Sequence, residues 1–573
     1  MWNFPDKVGI RKDGKKGRCI VARTDIKRGE SILMEEAYCR ILFRDNREEI
    51  CDSCLNYLET SGPRSGQTTE CPGCKRVRFC SKECLEGVKK LHDLECGLLR
   101  LGMLEMISNK VGVSFDRSHL LTRFVIQLIL ELSGANKDRS GQKMEYLISS
   151  LDHIRLLKDN IEECSEGTLE TYRNLAVEIL RIPTLRTEID RLTQKEVFTE
   201  DLLVKVLCII DSNSFGIPKF PLKGPELPAT VARLLHSHGA SAKSSLELSS
   251  SLLNPSIIGW GLFSYSSLFN HSCDPNCDFI GVNPASDCSS MVIDLRASRN
   301  IKKDEEITIN YVELYDTRRN RIKSLLQTKH FICECERCTT PFQSSTDSFV
   351  QGFVCSKCYC ISDFEIDNLP VIQLESAPSS LDPKEITSIL DDQDYLISQL
   401  TGSYKCHSCG EVYFGSEVAA IQNEFLDILQ EAETLNSQKG DLPAAINLIL
   451  SLVQKYHTPN IKSVFPHPLN YLLYRCYKLL TFWSVAVKDW NSVNQYVSRM
   501  IHSHILVLQN QCNIEISNLH STKAIALSHL GLASESDQEW KKCTEIRQIC
   551  LGMPSNPSNI PSVHSIIHQK HAP

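Results

Sequence analysis

The stretch LFNHSCDPNCDF, from Leu268 to Phe279, places an amide, an imidazole and a thiol next to one another. A second thiol, Cys277, follows Asp-Pro-Asn, which favours a turn because proline restricts φ and the Asx side chains bond to nearby backbone. Taken by itself, the stretch fits an ordinary turn at the end of a strand with two buried cysteines. Whether the stretch has a further role depends on how the other cysteines of the chain are arranged.

Length and composition describe an ordinary multidomain protein. With 573 residues the chain is too long for one core and suggests roughly three or four modules of ~150 residues. Hydrophobic residues make up 42% and charged residues 23%, and the net charge of −7 provides no general attraction to nucleic acid or anionic membranes. Because no apolar run of about 18 residues and no secretory signal is visible, we expect no transmembrane helix and an intracellular protein, cytoplasmic, nuclear or both.

The 26 cysteines are informative because paired Cys-x-x-Cys spacings in a reducing compartment indicate metal binding rather than disulfides. The densest group has eight soft ligands within 46 residues: Cys51, Cys54, Cys71, Cys74, Cys80, Cys84, His92 and Cys96. Eight such ligands suffice for two tetrahedral structural Zn²⁺ sites. So short a segment cannot bury enough apolar surface to fold unaided, so metal binding would supply the missing free energy.

Two further cysteine groups follow. The run FICECERC contributes Cys333, Cys335 and Cys338, one ligand short of a tetrahedral zinc site, and Cys273 of the opening stretch can supply the fourth. A last group with the spacing of a zinc ribbon consists of Cys355, Cys358, Cys406 and Cys409. The neighbouring residues Cys360 and His407 are alternative ligand candidates, but we expect that they do not bind the metal. The sequence therefore predicts four structural zinc ions, and the eleven remaining cysteines are expected to be small buried apolar residues.

The order of these motifs resembles that of the SMYD family of protein lysine methyltransferases. The first cysteine group is similar to a MYND zinc finger, and NHSC followed by EEITINY and C-x-C-x2-C is similar to a SET domain with its post-SET zinc site. The motifs cover residues 7–340, and the architecture extends the resemblance to about residue 550. It implies that the finger sites interleave, with one ion on Cys51, Cys54, Cys80 and Cys84 and the other on Cys71, Cys74, His92 and Cys96.

The resemblance also implies S-adenosylmethionine as the cofactor. The residues it assigns to this cofactor are Lys16, Gly17, Arg18, Asn213, Ser267, the backbone of Phe269, Asn270, His271, Tyr311 and Phe331. Asn270 and His271 would meet its adenine and methionine portions, which would satisfy the hydrogen-bonding groups of a polar pair beside apolar neighbours. Since Cys273 would hold the post-SET zinc, the opening stretch would both seat the cofactor and fold the post-SET segment over it.

The chain departs from the family pattern at two positions. Cys19 stands where a second glycine is common, which removes easy access to positive φ and puts cofactor affinity in question. Asp304 replaces the turn glycine before Glu-Glu, a milder change because Asp tolerates left-handed backbone. Without the rest of the pattern, we would interpret the first motif as a solvated basic loop made of Lys16, Gly17 and Arg18.

The segment KKDEEITINY alternates Ile307, Ile309 and Tyr311 with polar residues, which predicts a strand with one buried face. The resemblance makes Tyr311 the catalytic tyrosine, which would position the acceptor amine. It also makes Phe215, in SNSFGI, a wall of the lysine channel together with Tyr311, and Phe331 would close another wall. Outside this pattern, Phe215 and Tyr311 would be ordinary core residues.

The predicted fold class is α+β and multidomain, a split SET β-fold carrying an inserted MYND zinc finger and a helical insertion. We expect the following division: residues 1–50 first SET part, 51–96 finger, 97–205 helical insertion, 206–315 SET core with a flexible insert at 218–256, 316–342 post-SET, 343–415 zinc-ribbon-like insert, 416–552 helical domain and 553–573 disordered tail. The resemblance implies a tetratricopeptide-like (TPR-like) C-terminal domain. A plain helical bundle is the alternative, since no clean 34-residue repeat is visible.

The expected function is S-adenosylmethionine-dependent methylation of lysine in histone or non-histone proteins, with every zinc structural. Desolvation in an apolar channel would lower the pKa of the acceptor lysine, and orientation would remove much of the entropic barrier. One alternative is a catalytically weak adaptor or transcriptional co-regulator whose finger binds proline-containing peptides. The other is a nucleic-acid-binding zinc protein, which the short basic patch CKRVRFC and the acidic chain disfavour. We expect a monomer that binds neither membranes nor nucleic acid.

Overall fold

The computed structural model describes residues 2, 4–55, 58, 68–135, 146–218, 257–282, 292–359, 371–374, 402–406, 408–457, 464–508 and 513–551. The predicted insert at 218–256 lies outside these residues apart from its first position, and Cys360, His407 and the predicted tail at 553–573 lie outside them as well. No helix in the described part of the chain combines the length and the apolar character needed to cross a membrane.

The strands, in chain order, are β1 (Val8–Asp13), β2 (Gly17–Ala22), β3 (Ser31–Glu36), β4 (Cys39–Leu42), β5 (Thr69–Glu70), β6 (Arg78–Phe79), β7 (Leu147–Ile148), β8 (Ser214–Pro218), β9 (Ile257–Leu262), β10 (Asn270–His271), β11 (Cys277–Val282), β12 (Val292–Ala297), β13 (Thr308–Ile309), β14 (Phe353–Val354), β15 (Val371–Leu374), β16 (Ser403–Cys406), β17 (Val412–Phe414) and β18 (Phe465–Pro466).

The α-helices are α1 (Lys82–Arg100), α2 (Met103–Val111), α3 (Phe115–Leu132), α4 (Leu151–Arg155), α5 (Glu166–Leu180), α6 (Pro183–Asp190), α7 (Glu200–Asn213), α8 (Arg318–Lys329), α9 (Glu336–Thr339), α10 (Asp347–Val350), α11 (Ser356–Tyr359), α12 (Gly415–Ser437), α13 (Leu442–His457), α14 (Tyr471–Val487), α15 (Trp490–Leu508), α16 (Ile514–His529) and α17 (Ala533–Leu551).

Strands from the two sides of the long helical region combine in the N-terminal sheets. One sheet has the order β11-β12-β3-β7 and another β4-β9-β8, so β3 and β4 pair with strands more than 200 residues later in the chain. In the second sheet Gly259 is needed because a Cβ at that position would lie 2.0 Å from the carbonyl oxygen of Ile41. The short parallel pair β10-β13 lies beside these sheets and carries the NHSC stretch.

The predicted strand at the end of KKDEEITINY is shorter than expected. Thr308 and Ile309 form the strand, Glu306 makes an isolated bridge with Val21, and Tyr311 lies beyond the strand. The partner strand β10 is itself two residues long, because it follows a 3₁₀ turn and leads into the turn at Cys273, so little edge is available for pairing. The predicted buried face is present, with Ile307 and Ile309 fully buried, and Asp304 adopts the left-handed backbone predicted for it, with φ 67°.

The predicted helical insertion is helical, and its first helix, α1, already begins inside the cysteine-rich segment. Ser81 caps α1 by accepting a hydrogen bond from the backbone N–H of Cys84. Helix α3 carries the run FVIQLILEL and is buried on most of its surface, as expected for a helix that is apolar on several faces. Helices α1, α2, α5, α6 and α7 surround α3.

The C-terminal half has its own core, built from a sheet of order β17-β16-β15-β14-β18 and the helices α12 to α16, and a smaller apolar cluster joins α17 to α14, α15 and α16. The prediction of a helical region at residues 416–552 is confirmed for the described residues by α12 to α17, and α14 begins at Tyr471, where Asn470 caps it. Consecutive helices of this group pack against each other. The last of them, α17, also reaches the N-terminal half, where Ile549 contacts the turn at Gly29.

Candidate active site and metal centres

A cavity of about 120 Å³ lies at the end of β13. The residues that line it are Ser212, Asn213, Ser214, Phe215, Gly216, Ser267, Phe279, Ile309, Asn310, Tyr311 and Lys329. The cavity therefore brings together four residues that the sequence predicted as site residues, namely Asn213, Phe215, Ser267 and Tyr311. It also includes residues that sequence reasoning did not single out, among them Phe279 and Lys329.

Tyr311 has its hydroxyl group fixed in place. The hydroxyl donates a hydrogen bond to the carbonyl oxygen of Phe269 at 2.5 Å. Burial, with a further contribution from the negative charge of Glu306, raises the pKa of this phenol, so the hydroxyl stays protonated near neutral pH. The ring centroid lies 6.4 Å from that of Phe331 in an edge-on arrangement, so Phe331 forms a wall beside Tyr311.

The two ring nitrogens of His271 are both used by the protein. Nδ1 accepts a hydrogen bond from the backbone N–H of Tyr311 at 3.0 Å, which assigns the proton of the neutral ring to Nε2. Nε2 lies 3.3 Å from Sγ of Cys273. His271 thus connects the Tyr311 backbone to Cys273, a predicted metal ligand, and the ring face and backbone of His271 are the parts left for a cofactor contact.

Asn270 joins three parts of the chain. Its Nδ2 donates to the carbonyl oxygen of Arg18 and to Oε1 of Glu306, both at 2.9 Å, and lies 3.4 Å from Sγ of Cys19. Glu306 also pairs with Lys16, whose Nζ lies 2.7 Å from Oε2. The predicted cofactor residues of the first motif and of the NHSC stretch are therefore adjacent, although none of them belongs to the lining of the cavity.

The first motif turns at Gly17, which has φ 80°, a conformation that glycine adopts without a Cβ penalty. Asp13 shapes this turn, since its Oδ1 accepts hydrogen bonds from the backbone N–H groups of Lys15 and Lys16. Cys19 lies inside β2 and is not among the described residues with positive φ. Cys19 therefore has an ordinary strand conformation, and its effect on cofactor affinity stays a prediction.

Asn213 is the last residue of α7 rather than part of a strand, and β8 begins at Ser214. Its Nδ2 donates to the carbonyl oxygens of Lys158 and Ile209, while its own carbonyl accepts from the Ser267 hydroxyl at 3.1 Å. Phe215 packs edge-on against Phe279, with ring centroids 5.1 Å apart. This edge of the cavity is therefore apolar at Phe215 and polar at Asn213.

Asn160 is a neighbour of the cavity that sequence reasoning missed. It is buried, and its Nδ2 donates to the hydroxyl of Ser212 at 2.9 Å. Its Oδ1 is buried without a hydrogen-bond partner among the described residues. A buried amide oxygen without a donor is costly, so this position suits a ligand that carries an N–H or O–H group. No local pattern around Asn160 signals this role.

The structure brings the predicted metal ligands together in four groups, and in each the ligand atoms lie within 4.8 Å of one another. The groups are Cys51, Cys54, Cys80 and Cys84; Cys71, Cys74, His92 and Cys96; Cys273, Cys333, Cys335 and Cys338; and Cys355, Cys358, Cys406 and Cys409. Sulfur atoms within groups approach to 3.5 to 3.7 Å. Tetrahedral zinc with Zn–S bonds of about 2.3 Å would separate them by about 3.8 Å, so these donor sets fit Zn²⁺.

The second group is anchored by buried charges from the helical region. Nδ1 of His92 lies 3.2 Å from Glu95, which orients the ring and directs Nε2 toward Cys71. Glu95 also accepts hydrogen bonds from Arg123 of α3, and Arg123 donates to Asp52, the neighbour of Cys51 in the first group. Burial opposes ionisation of Glu95, but Arg123 outweighs it and holds the pKa of that carboxyl well below its ordinary value.

The third group lies against a fully buried carboxylate. Asp347 accepts five hydrogen bonds from three arginines, Arg318, Arg321 and Arg337. Arg321 additionally directs its Nε toward Sγ of Cys273 at 3.3 Å. Three guanidinium charges and one carboxylate leave a local charge of +2, and four thiolates around a divalent ion carry −2. The electrostatics therefore also fit a zinc thiolate centre at this position.

Comparison with known proteins gives relatives over the same region. The family model described as SET domain matches residues 17–312. The human protein "Histone-lysine N-methyltransferase SMYD3" is 27% identical over 338 residues, covering 59% of this chain and 62% of that protein. The Arabidopsis thaliana "Histone-lysine N-methyltransferase ASHR1" is 24% identical over 357 residues, covering 62% and 60%. A SET and MYND domain-containing protein of Dictyostelium discoideum is 24% identical over 388 residues, covering 63% and 89%. The chain thus spans about 62% of the length of its human relative.

Proposed function

Because the chain belongs to the SET-domain family, and within it to the SMYD branch that combines SET and MYND domains, we propose that it is a protein-lysine N-methyltransferase that uses S-adenosylmethionine. The observation that carries the proposal is the cavity in which the hydrogen-bonded hydroxyl of Tyr311 lies beside Phe215, Asn213 and Ser267. A half-open cavity with aromatic walls and several polar groups is suited to hold a lysine side chain next to a small reactive group.

The cofactor would be held by residues that already form one connected set. Lys16 and Asn270 both bind Glu306, Asn270 also donates to the carbonyl oxygen of Arg18 in β2, and Asn213 and Ser267 border the cavity. The partnerless Oδ1 of Asn160 supports this assignment, since the amine of S-adenosylmethionine could donate to such an atom. When bound, the cofactor would supply an electrophilic methyl group.

The protein's own groups would prepare the acceptor lysine. Phe215, Phe279 and Tyr311 would surround its side chain, and desolvation there would lower the pKa of the ammonium group and favour the neutral, nucleophilic amine. The Tyr311 hydroxyl would orient the amine, while its bond to the Phe269 carbonyl keeps it from rotating. Aromatic faces would also attract the cationic methylammonium product.

The metal centres would serve the site structurally. Zn²⁺ on Cys273, Cys333, Cys335 and Cys338 would hold Phe331 next to Tyr311, since Phe331 lies two residues before Cys333. The two finger ions would fold a segment that has little core of its own, and the fourth would fold the ribbon-like sheet. The finger is also a candidate surface for proline-containing peptides, and the substrate is a histone or non-histone protein in the cytoplasm or nucleus.

The experiment is methylation of cell-lysate proteins with labelled S-adenosylmethionine, comparing wild type with Tyr311→Phe. Loss of a transition-state contact of ~3–4 kcal/mol predicts a rate roughly a hundred- to a thousandfold lower. Tyr456→Phe is the matched control, because that hydroxyl bonds to Glu424 among the C-terminal helices, away from the cavity. Wild-type rates in Tyr311→Phe would make Tyr311 a core residue and remove the proposed active site.

The adaptor alternative makes a different prediction for cofactor binding. An adaptor need not bind S-adenosylmethionine, whereas the enzyme must. Isothermal titration of the full chain with the cofactor therefore separates the two, and no heat of binding together with no lysate methylation would favour the adaptor.

A further inference from the structure

Lys329 has its amine in the cavity that contains Tyr311. It is the last residue of α8, and among the described residues that line the cavity it alone has a cationic side chain. Its Nζ donates a hydrogen bond to the carbonyl oxygen of Ser212 at 2.8 Å and lies 5.6 Å from the centroid of the Tyr311 ring. No carboxylate among the described residues lies within ion-pair distance of it.

These surroundings are those that an acceptor lysine requires. Burial lowers the pKa of the Lys329 ammonium group, although the negative charge of Asp211 opposes the shift. Asp211 is itself paired with Arg117, at 3.0 Å, so it does not hold the amine in its charged form by direct contact. An aromatic face and one carbonyl oxygen lie close to the amine, and both can accommodate it before and after it gains a methyl group.

We propose that Lys329 is a modification site, and that the protein transfers a methyl group to its own Lys329 in an intramolecular reaction. This inference rests on the proposed function. The amine first loses its proton to solvent. A bond then forms between Nζ and the methyl carbon of S-adenosylmethionine while the carbon–sulfur bond breaks, its electron pair stays on sulfur, and S-adenosylhomocysteine leaves.

The covalent attachment of Lys329 favours this reaction over methylation by a second molecule. The amine is held in the same cavity as Tyr311, and an acceptor that is already oriented reacts without the entropic cost of binding. A second copy of the protein would have to extract Lys329 from the cavity before it could act. Methylation would enlarge a side chain that borders a space of about 120 Å³, so we expect the modified protein to accept external lysines less readily.

The first test measures the reaction itself. The full, metal-loaded chain is incubated with S-adenosylmethionine at several protein concentrations, and methylation of the peptide containing Lys329 is followed by mass spectrometry. We expect methylation at Lys329 with a rate constant that does not change with protein concentration. Lys329→Arg should remove the signal, Lys323→Arg on the same helix should keep it, and Tyr311→Phe provides the unmethylated reference. A rate proportional to protein concentration would overturn the intramolecular assignment.

The second test needs no cofactor. The chain is treated with deuterated formaldehyde and cyanoborohydride, reagents small enough for the cavity that modify neutral amines, and the labelling of Lys329 and Lys323 is compared. Each unit by which the pKa of an amine is lowered raises its neutral fraction at neutral pH about tenfold. We therefore expect Lys329 to be labelled at lower pH than Lys323. Labelling of Lys329 only at higher pH than Lys323 would contradict the inference.

The outcomes separate this inference from the proposed function. If wild type methylates lysate proteins while Lys329 remains unmodified by the cofactor, self-methylation is refuted and the methyltransferase proposal stands. If neither is methylated, both fail. If Lys329→Met instead weakens cofactor binding about tenfold and wild type shows no methylation at Lys329, the residue binds the cofactor and is not an acceptor.

Discussion

Replacing Asp347 with asparagine should destabilise the region around the third cysteine group more than any comparable surface change. Asp347 is fully buried and accepts hydrogen bonds from Arg318, Arg321 and Arg337 at 2.8 to 3.1 Å. Asparagine keeps the shape but removes the negative charge and turns one acceptor oxygen into an NH₂ group that faces guanidinium donors. Removing one partner of a buried ion pair costs about 3–5 kcal/mol, and we expect an effect of this size.

The loss should extend to the nearby metal centre. Arg321 contacts Sγ of Cys273, and without the Asp347 carboxylate it loses its ion pair and keeps its hydrogen bond to the Asp316 carbonyl as a further anchor. Metal release to a chromogenic chelator measures retention of the ion, and urea unfolding followed by circular dichroism measures stability. We expect faster release of one ion of four, together with an unfolding transition at lower urea. The control is Asp190→Asn, since Asp190 forms an exposed pair with Arg186 that contributes less than about 1 kcal/mol.

The pH dependence has a defined sign. Burial raises the pKa of Asp347, but Arg321 and Arg337 outweigh burial and lower it below the ordinary value. A carboxyl with a lowered folded-state pKa adds stability that is fully present above the unfolded value of about 4 and is lost as the pH falls through the folded value. The stability difference between wild type and Asp347→Asn should therefore be constant from pH 6 to 8. Equal stability and equal metal release for the two proteins would refute the idea that this carboxylate balances the arginines.

Two further predictions concern the metals. Cys273→Ser should lower metal content by one ion and weaken S-adenosylmethionine binding, whereas Cys51→Ser should lower metal content but leave cofactor affinity largely intact. Calorimetric titration with the cofactor measures both affinities, and equal losses of affinity would contradict the separation of the finger from the cofactor site. Elemental analysis of pure protein should find four zinc ions per chain, and Cys355→Ser should lose the ion of the ribbon-like sheet. If wild type held three ions and this variant lost none, the assignment of a zinc site to the ribbon-like sheet would be wrong.

Local patterns in the sequence were sufficient for the metal ligands and the helices. The spacing of pairs such as Cys355 and Cys358 is enough to predict metal binding. The run FVIQLILEL is long enough for its apolar content to predict a buried helix. Which cysteines of the finger share an ion does not follow from spacing. That grouping came from the resemblance, and the structure has the same grouping. Helix α1 carries Cys84 and His92 on separate turns, so that Cys84 lies with the first group of ligands and His92 with the second.

The amino-acid sequence by itself determined the candidate metal ligands, the helical regions and the family to which the NHSC stretch belongs, because each depends on the identity and spacing of residues near one another in the chain. Only the tertiary structure decided the short length of β13, the Asp347 arginine cluster and the location of Lys329 beside Tyr311. These depend on burial and on pairing between distant segments. A lysine at the end of a helix looks the same in sequence whether water or an aromatic cavity surrounds its amine, and the packing of α7, α8 and β13 makes that difference.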